Sequence, residues 1–192
     1  MNIKDFKAGK FIQQYKYKSF LPEPINKEWI ISDPKINSLL EEANLKLGQL
    51  NAFSAIVPDV DLFIKMHVVK EATTSSRIEG TQTYIDEAVL KEGDINEEKK
   101  DDWLEVQNYI SAMNKAVEGL TKLPISTRLI KKTHKILLGN SRGKNKLPGD
   151  FRTSQNWIGG ATINDAVFVP PIHTDINELL SDLENFINND QI

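Results

Sequence analysis

A mainly α fold carrying one small β-hairpin is what the 192-residue sequence predicts, and three observations carry that prediction. Apolar residues recur at helical spacing in most segments between residues 33 and 187. Residues suited to capping stand just before those segments, with glycine or proline after several of them. The β-prone runs are confined to two short stretches, Gln155 to Ile158 and Ala166 to Val169, with Gly159, Gly160, Asn164 and Asp165 between them.

Residues 1 to 30 scatter Phe6, Phe11, Tyr15, Tyr17, Phe20, Leu21 and Trp29 without a period and include Pro22 and Pro24, which predicts a chain running extended over the surface. Asp33-Pro34 reads as a cap and first helical position, and Ile36, Leu39, Leu40, Ala43, Leu47 and Leu50 continue a helix to about Phe53. Pro58 breaks the chain, and Asp59 to Asp61 cap a second helix bearing Leu62, Phe63, Met66, Val69 and Ala72. That helix runs to Gly80. Thr83 and Asp86 form a capping box for a short helix over 84 to 91. Asn96 to Asp102 is a charged, solvated loop whose Asp101 or Asp102 caps a long helix with Trp103, Val106, Ile110, Met113, Val117 and Leu120 on one face. Ser126 caps the next helix, which Gly139 stops, and residues 139 to 150 form a loop. Thr174 caps a final helix with Ile176, Leu179, Leu180, Leu183, Phe186 and Ile187.

Composition excludes several classes of function. Hydrophobic content of 40% and charged content of 27% are those of an ordinary globular protein. With no cysteine there is no disulfide, thiolate metal site or cysteine nucleophile, and a reducing cytoplasm suits the chain. His67, His134 and His173 lack ligand spacing, so no metal site is expected, and His134 reads as a core or boundary residue. A net charge of -3 gives no reason to expect nucleic acid, and no apolar run is long enough to span a bilayer. The basic cluster Lys131, Lys132, Lys135, Arg142, Lys144 and Lys146 has no interleaved aromatics and reads as a solvated helix face and loop.

The chemistry concentrates in ATTSSRIEGTQT, residues 72 to 83. Ser75 and Glu79 are four apart, which on a helix puts both on one face about one turn apart, and Gly80 is suited to a left-handed stop. Chemistry alone makes this a capped helix end with a solvated polar face. The hairpin has two readings as well, a turn decoration or an edge that adds a strand from a peptide partner.

Ser75-x-x-x-Glu79-Gly80, preceded by Glu71-Ala72, resembles the inhibitory helix motif of Fic-domain proteins. Two longer stretches strengthen that resemblance. PDVDLFIKMHVVKEATTSSRIEGTQT is similar to the family's N-terminal region, and PGDFRTSQNWIGG followed by AVFVPP resembles the stretch that leads into its active site. The resemblance runs from about Tyr17 to Phe186 and implies a Fic-like helical bundle with the hairpin as a flap. Residues 1–95 would form the N-terminal region, with its inhibitory helix at about 62–80. Residues 96–192 would form the first part of the Fic core, with the flap at about 155–171.

Many Fic proteins transfer AMP from ATP to a hydroxyl of a target protein. By resemblance Glu79 occupies the space of the ATP γ-phosphate and pairs with a catalytic-motif arginine. Ser75 and Gly80 hold the helix end. Trp157, Ile158, Gly159, Gly160, Val167, Phe168 and Val169 form the flap that docks the target protein by strand addition. ATP and Mg2+ are expected for a complete family member and neither for this chain alone. A homo-oligomer is left open.

One departure bears on all of this. The family's His-Pro-Phe-x-Asp/Glu-Gly-Asn-Gly-Arg loop is absent from the 192 residues, none of the histidines precedes Pro-Phe, and no catalytic residue is assigned. The expectation is therefore the regulatory and target-docking part of a protein AMP-transferase, cut before its catalytic loop and inactive by itself. The alternative is a non-catalytic module that regulates a partner chain.

Overall fold

The structure, a computed structural model, describes residues 1–139 and 147–190. It is mainly α, as the periodicity predicts. Among the described residues the order is β1 (Gly9–Gln13), β2 (Lys18–Pro22), α1 (Pro34–Ser54), α2 (Val60–Ile78), α3 (Ile85–Ala88), α4 (Lys100–Gly119), α5 (Thr127–Leu137) and α6 (Ile176–Ile187). Short 3-10 turns lie at Ile3–Asp5, Glu92–Asp94, Glu97–Lys99, Ile163–Asp165 and His173–Asp175. Two compact units interleave along the chain. One holds Met1–Ile30, Gly119–Lys132 and Gly149–Ile192, and the other holds Ile31–Glu118 and Thr133–Pro148. Among the described residues no helix is long and apolar enough to cross a membrane.

The caps show why the helices begin where they do. Asp33 accepts a hydrogen bond from the Lys35 N–H and Ser126 from the Leu129 N–H, so two predicted starts hold to the residue, and within the predicted range Asp59 to Asp61 it is Asp59 that caps, accepting the Leu62 N–H. The fourth shifts. Glu87, not Asp86, turns back to accept the Tyr84 N–H, so α3 begins one residue later than a Thr83–Asp86 box would place it and covers only Ile85–Ala88. The expected loop at 96–102 is instead a 3-10 turn running into α4, capped by Asn96 on the Glu98 N–H. Of the expected loop over 139 to 150, residues 140–146, with Arg142, Lys144 and Lys146, lie outside the described residues.

The second unit has a small core. Ala72 of α2, Ala88 of α3 and Val106 of α4 are buried together, with Val69, Tyr109 and Ile110 packed around them. Two alanines let three backbones approach closely. The carbonyls at the end of α3 find donors on α4, Trp103 Nε1 reaching Glu87 at 3.1 Å and Gln107 Nε2 reaching Ala88 at 2.7 Å. Lys99 pairs with Glu87, and with the Tyr84 N–H it holds that carboxyl below its usual range. Beyond this core, with Trp103 and Ala112 of α4 also buried, much of the apolar surface is open. α1 buries none of its residues, and Val117 and Leu120, predicted to share the α4 face with Val106, are 60% and 46% exposed.

The first unit departs most from expectation. Residues 1 to 30 do not run extended over the surface: β1 and β2 pair antiparallel with Phe11 opposite Phe20, and this is the two-stranded sheet found among the described residues. Phe6 meets Trp29 edge-on at 4.8 Å, with the Lys27 ammonium over both rings. α6 closes the unit from the other end of the chain. Its Asp182 accepts the Ile25 and Asn26 N–H groups, and its Glu184 accepts both the N–H and the hydroxyl of Thr127 at 2.8 Å. Leu179 and Leu183 line a cavity of about 360 Å3 with Pro22, Ile25 and Ile176, and these two side chains are half-buried against the N-terminal segment. Thr174, the expected cap of α6, stands inside the 3-10 turn that precedes the helix.

Candidate functional site

The two sets of residues singled out by the sequence lie in different units. At the end of α2, Glu79 is the last residue of right-handed backbone and Gly80 follows with φ +104. The Gly80 N–H donates to the Arg77 carbonyl and the Thr81 N–H to the Ser76 carbonyl, both at 3.1 Å. That pair of bonds is a Schellman motif, which uses up carbonyls that a helix end otherwise leaves bare. Arg77 stacks over the Tyr84 ring at 4.9 Å, and the Gln82 N–H donates to Asp102 on α4 at 2.8 Å. Thr81 and Thr83 are buried between these anchors. The backbone carrying Glu79 is thus fixed on both sides.

Ser75 does not reach towards Glu79. Its hydroxyl donates to Glu71, one turn earlier, at 2.7 Å. Both carboxylates are four residues away, but only Glu71 lies within the helical turn, whereas Glu79 sits at the residue where the helix stops. Glu79 is exposed, and its carboxylate has no hydrogen bond or ion pair among the described residues. A negative charge at a helix C-terminus faces the negative end of the macrodipole, a cost of about 0.3–1 kcal/mol that a cation would relieve.

The flap is less regular than two β-prone runs suggest. Over residues 155–171 the ladder reduces to one antiparallel bridge, Ile158 with Phe168, whose N–H groups donate to each other's carbonyls at 2.8 and 3.1 Å. Gly159 and Gly160 follow with φ +70 and +75. A Cβ on Gly160 would lie 2.4 Å from the Asp165 carbonyl oxygen, and one on Gly159 would lie 2.6 Å from Val167. Only glycine satisfies both the torsion and the space. Asp165 then ties the tip, accepting the Ala161 and Thr162 N–H groups at 2.9 and 2.7 Å and the Thr162 hydroxyl. The hydroxyl, helped by the two amides, draws its carboxyl down to about 2.

Below the tip, side-chain donors on the incoming side of the flap hold carbonyls on its outgoing side. Arg152 reaches Pro171 at 2.6 Å, and Gln155 reaches Pro170 at 3.1 Å. The Phe20 N–H of β2 donates to the Val169 carbonyl at 2.8 Å, and the Phe20 ring meets Phe11 edge-on at 5.4 Å and a tilted Phe168 at 5.8 Å. Val169 is buried, while Trp157, Ile158 and Val167 are exposed. Sequence reasoning missed Phe11 and Phe20 as the flap's support. Lys18-Ser19-Phe20-Leu21 carries no polar/apolar alternation, and no turn residue stands between Gln13 and Lys18, so the sequence held little signal for the pairing.

Among the described residues no group of three or more His, Asp or Glu side chains could hold a metal ion, and the one functional candidate on α2 is an anion. No curated protein matches the chain. Residues 37–118 match the family model described as Fic/DOC family N-terminal, a span that includes Ser75, Glu79 and Gly80 and ends before the flap. Over that span the chain is similar to the N-terminal region of Fic/DOC family proteins.

Proposed function

We propose that this chain is the regulatory and target-docking part of a Fic-type protein AMP-transferase, with Glu79 as its inhibitory group. The observation that carries this is the unengaged carboxylate of Glu79 on a backbone fixed by the Schellman motif and the Gln82–Asp102 bond. The backbone at Glu79 keeps its position without help from that side chain, and the carboxylate has an electrostatic reason to take a cation. An arginine fork meets a carboxylate with two parallel hydrogen bonds and well-defined geometry. The same carboxylate repels a polyphosphate: two unit charges 4 Å apart repel by about 4 kcal/mol at an effective dielectric of about 20. Such a term misplaces or excludes a nucleotide without removing any reacting group. The flap, rigid at its base and tip, presents the outward backbone groups of Trp157, beside the Ile158–Phe168 pair, for strand addition by a target segment.

The test mixes this chain with a Fic chain that carries the His-Pro-Phe loop and lacks its own inhibitory helix, and follows labelled AMP incorporation. The wild-type chain is expected to lower incorporation and Glu79→Gly to leave it unchanged. Equal effects of the two chains would remove Glu79 from the inhibitory role.

A further inference from the structure

We propose that the outer edge of β1 is a second docking surface, and that its partner is an acidic peptide segment in extended conformation. The hydrogen-bond pattern shows that the edge is open. The Glu23 N–H donates to the Ala8 carbonyl and the Gln14 N–H to the Tyr17 carbonyl, so the hydrogen-bonded pairs of this hairpin fall at even positions of β1. The backbone groups of Gly9, Phe11 and Gln13 therefore point away from β2, and none has a partner among the described residues. β2 is different, because its outer side already engages the Val169 carbonyl through the Phe20 N–H.

Charge selects the occupant. Between Phe6 and Pro22 the chain carries Lys7, Lys10, Lys16 and Lys18 and no acid, although its net charge is -3. None of these lysines has an ion pair among the described residues. A second copy of the chain would bring lysine against lysine across the new ladder, and like charges directly opposite destabilise a strand pair. An acidic strand turns each of those contacts into an attractive one. A nucleic-acid backbone would use the lysines but has no N–H donors for the outward carbonyls, so the edge favours a peptide.

Beside the hairpin lies a recess of about 380 Å3 with Phe11, Tyr17 and Lys18 on one wall and Ile163, Val167 and Phe168 on the other. It is wide enough for one apolar side chain of the added strand, while Lys18 at its rim takes a neighbouring carboxylate. Phe11 is 58% exposed and is free to cover that side chain. The β1 edge is distinct from the strand edge of the flap, although the recess shares Val167 and Phe168 with the flap, and it depends on neither Glu79 nor nucleotide chemistry.

The probe is the capped peptide Glu-Val-Glu-Val-Glu-Val-Glu, titrated into the full chain by fluorescence anisotropy and amide NMR. Amide shifts are expected at Gly9, Phe11 and Gln13 in excess of those at Lys10 and Ile12. Affinity is expected to fall at least tenfold on joint Lys10→Glu, Lys16→Glu and Lys18→Glu substitution, and similarly between low and molar salt. Peptides N-methylated at either alternate set of residues separate strand addition from simple charge attraction, and one of the two sets should abolish binding. The proposal is overturned if both methylated peptides bind like the parent, if the outward amides do not shift at millimolar peptide, or if oligo-dT binds these residues more tightly than the peptide does.

Discussion

Gly80 gives the sharpest test of the helix-end geometry. Its φ of +104 lies in the region that L residues avoid, yet a Cβ built there meets nothing within 4 Å. Replacement by alanine therefore costs torsional energy and no packing. A left-handed alanine costs about 1–2 kcal/mol, and about 0.4–1 kcal/mol returns because alanine restricts the unfolded chain. The net for Gly80→Ala is destabilisation by about 1 kcal/mol, roughly a fivefold change in the local opening equilibrium. Native-state hydrogen exchange at the Gly80 and Thr81 amides reads this directly, since those two protons close the Schellman motif on Arg77 and Ser76. Gly80→Asn should cost less and Gly80→Val more, because asparagine tolerates the left-handed region and β-branched residues do not. Gly48 supplies the control. It sits inside α1 with open space at its Cβ and no positive φ, so Gly48→Ala should stabilise α1 by about 0.5–1 kcal/mol. Equal signs for the two alanine substitutions, or unchanged protection of the Thr81 amide in Gly80→Ala, would refute the reasoning.

Three further expectations follow from the packing. Val106→Ala removes two methyl groups from a fully buried position at about 0.8 kcal/mol each plus a cavity term, so chemical denaturation should show a loss of about 2–3 kcal/mol. Gly160→Ala drives a Cβ against the Asp165 carbonyl, so it should open the flap tip and shift the fluorescence of Trp157, while Asn164→Ala leaves that fluorescence near wild type. Asp165 has a folded-state pKa depressed from 3.8 to about 2, so its contribution is fully present above pH 3.8 and lost as pH falls through about 2. Amide signals of Ala161 and Thr162 should keep their native positions down to about pH 3 and collapse below it, and Asp165→Asn should reproduce the acid spectrum at neutral pH.

The parts of this fold that the sequence announces are those decided within one turn of chain. Asp33, Asp59 and Ser126 act as caps because a short polar side chain reaches an amide two or three residues on, and no distant contact intervenes. Gly80 is legible for the same reason. The choice of Ser75 between Glu71 and Glu79 was not, because both stand at equal spacing and only the point where the helix stops separates them. The N-terminal hairpin stayed hidden because Tyr15 and Lys16, not Asn-Gly or Asp-Gly, stand at its turn, and its pairing is secured by Phe168, some 150 residues away in sequence. The flap reads as two strands in sequence, but two left-handed glycines and the Asp165 turn consume the chain that would have extended its ladder.

α1 has a thermodynamic character set apart from the elements around it. A helix of 21 residues with no buried side chain draws its order from its Asp33–Pro34 start and the intrinsic preferences of its leucines, alanines and glutamates. Helices held that way sit close to their own coil transition in water, whereas most protein helices are fixed by what they lie against. Its amides should therefore exchange on a timescale governed by fraying and nucleation, and its helicity should decline gradually with temperature. The α2–α4 core would instead melt in a single step. A calorimetric transition for this chain would under-report its helix content, and circular dichroism and calorimetry would part company by about the length of α1.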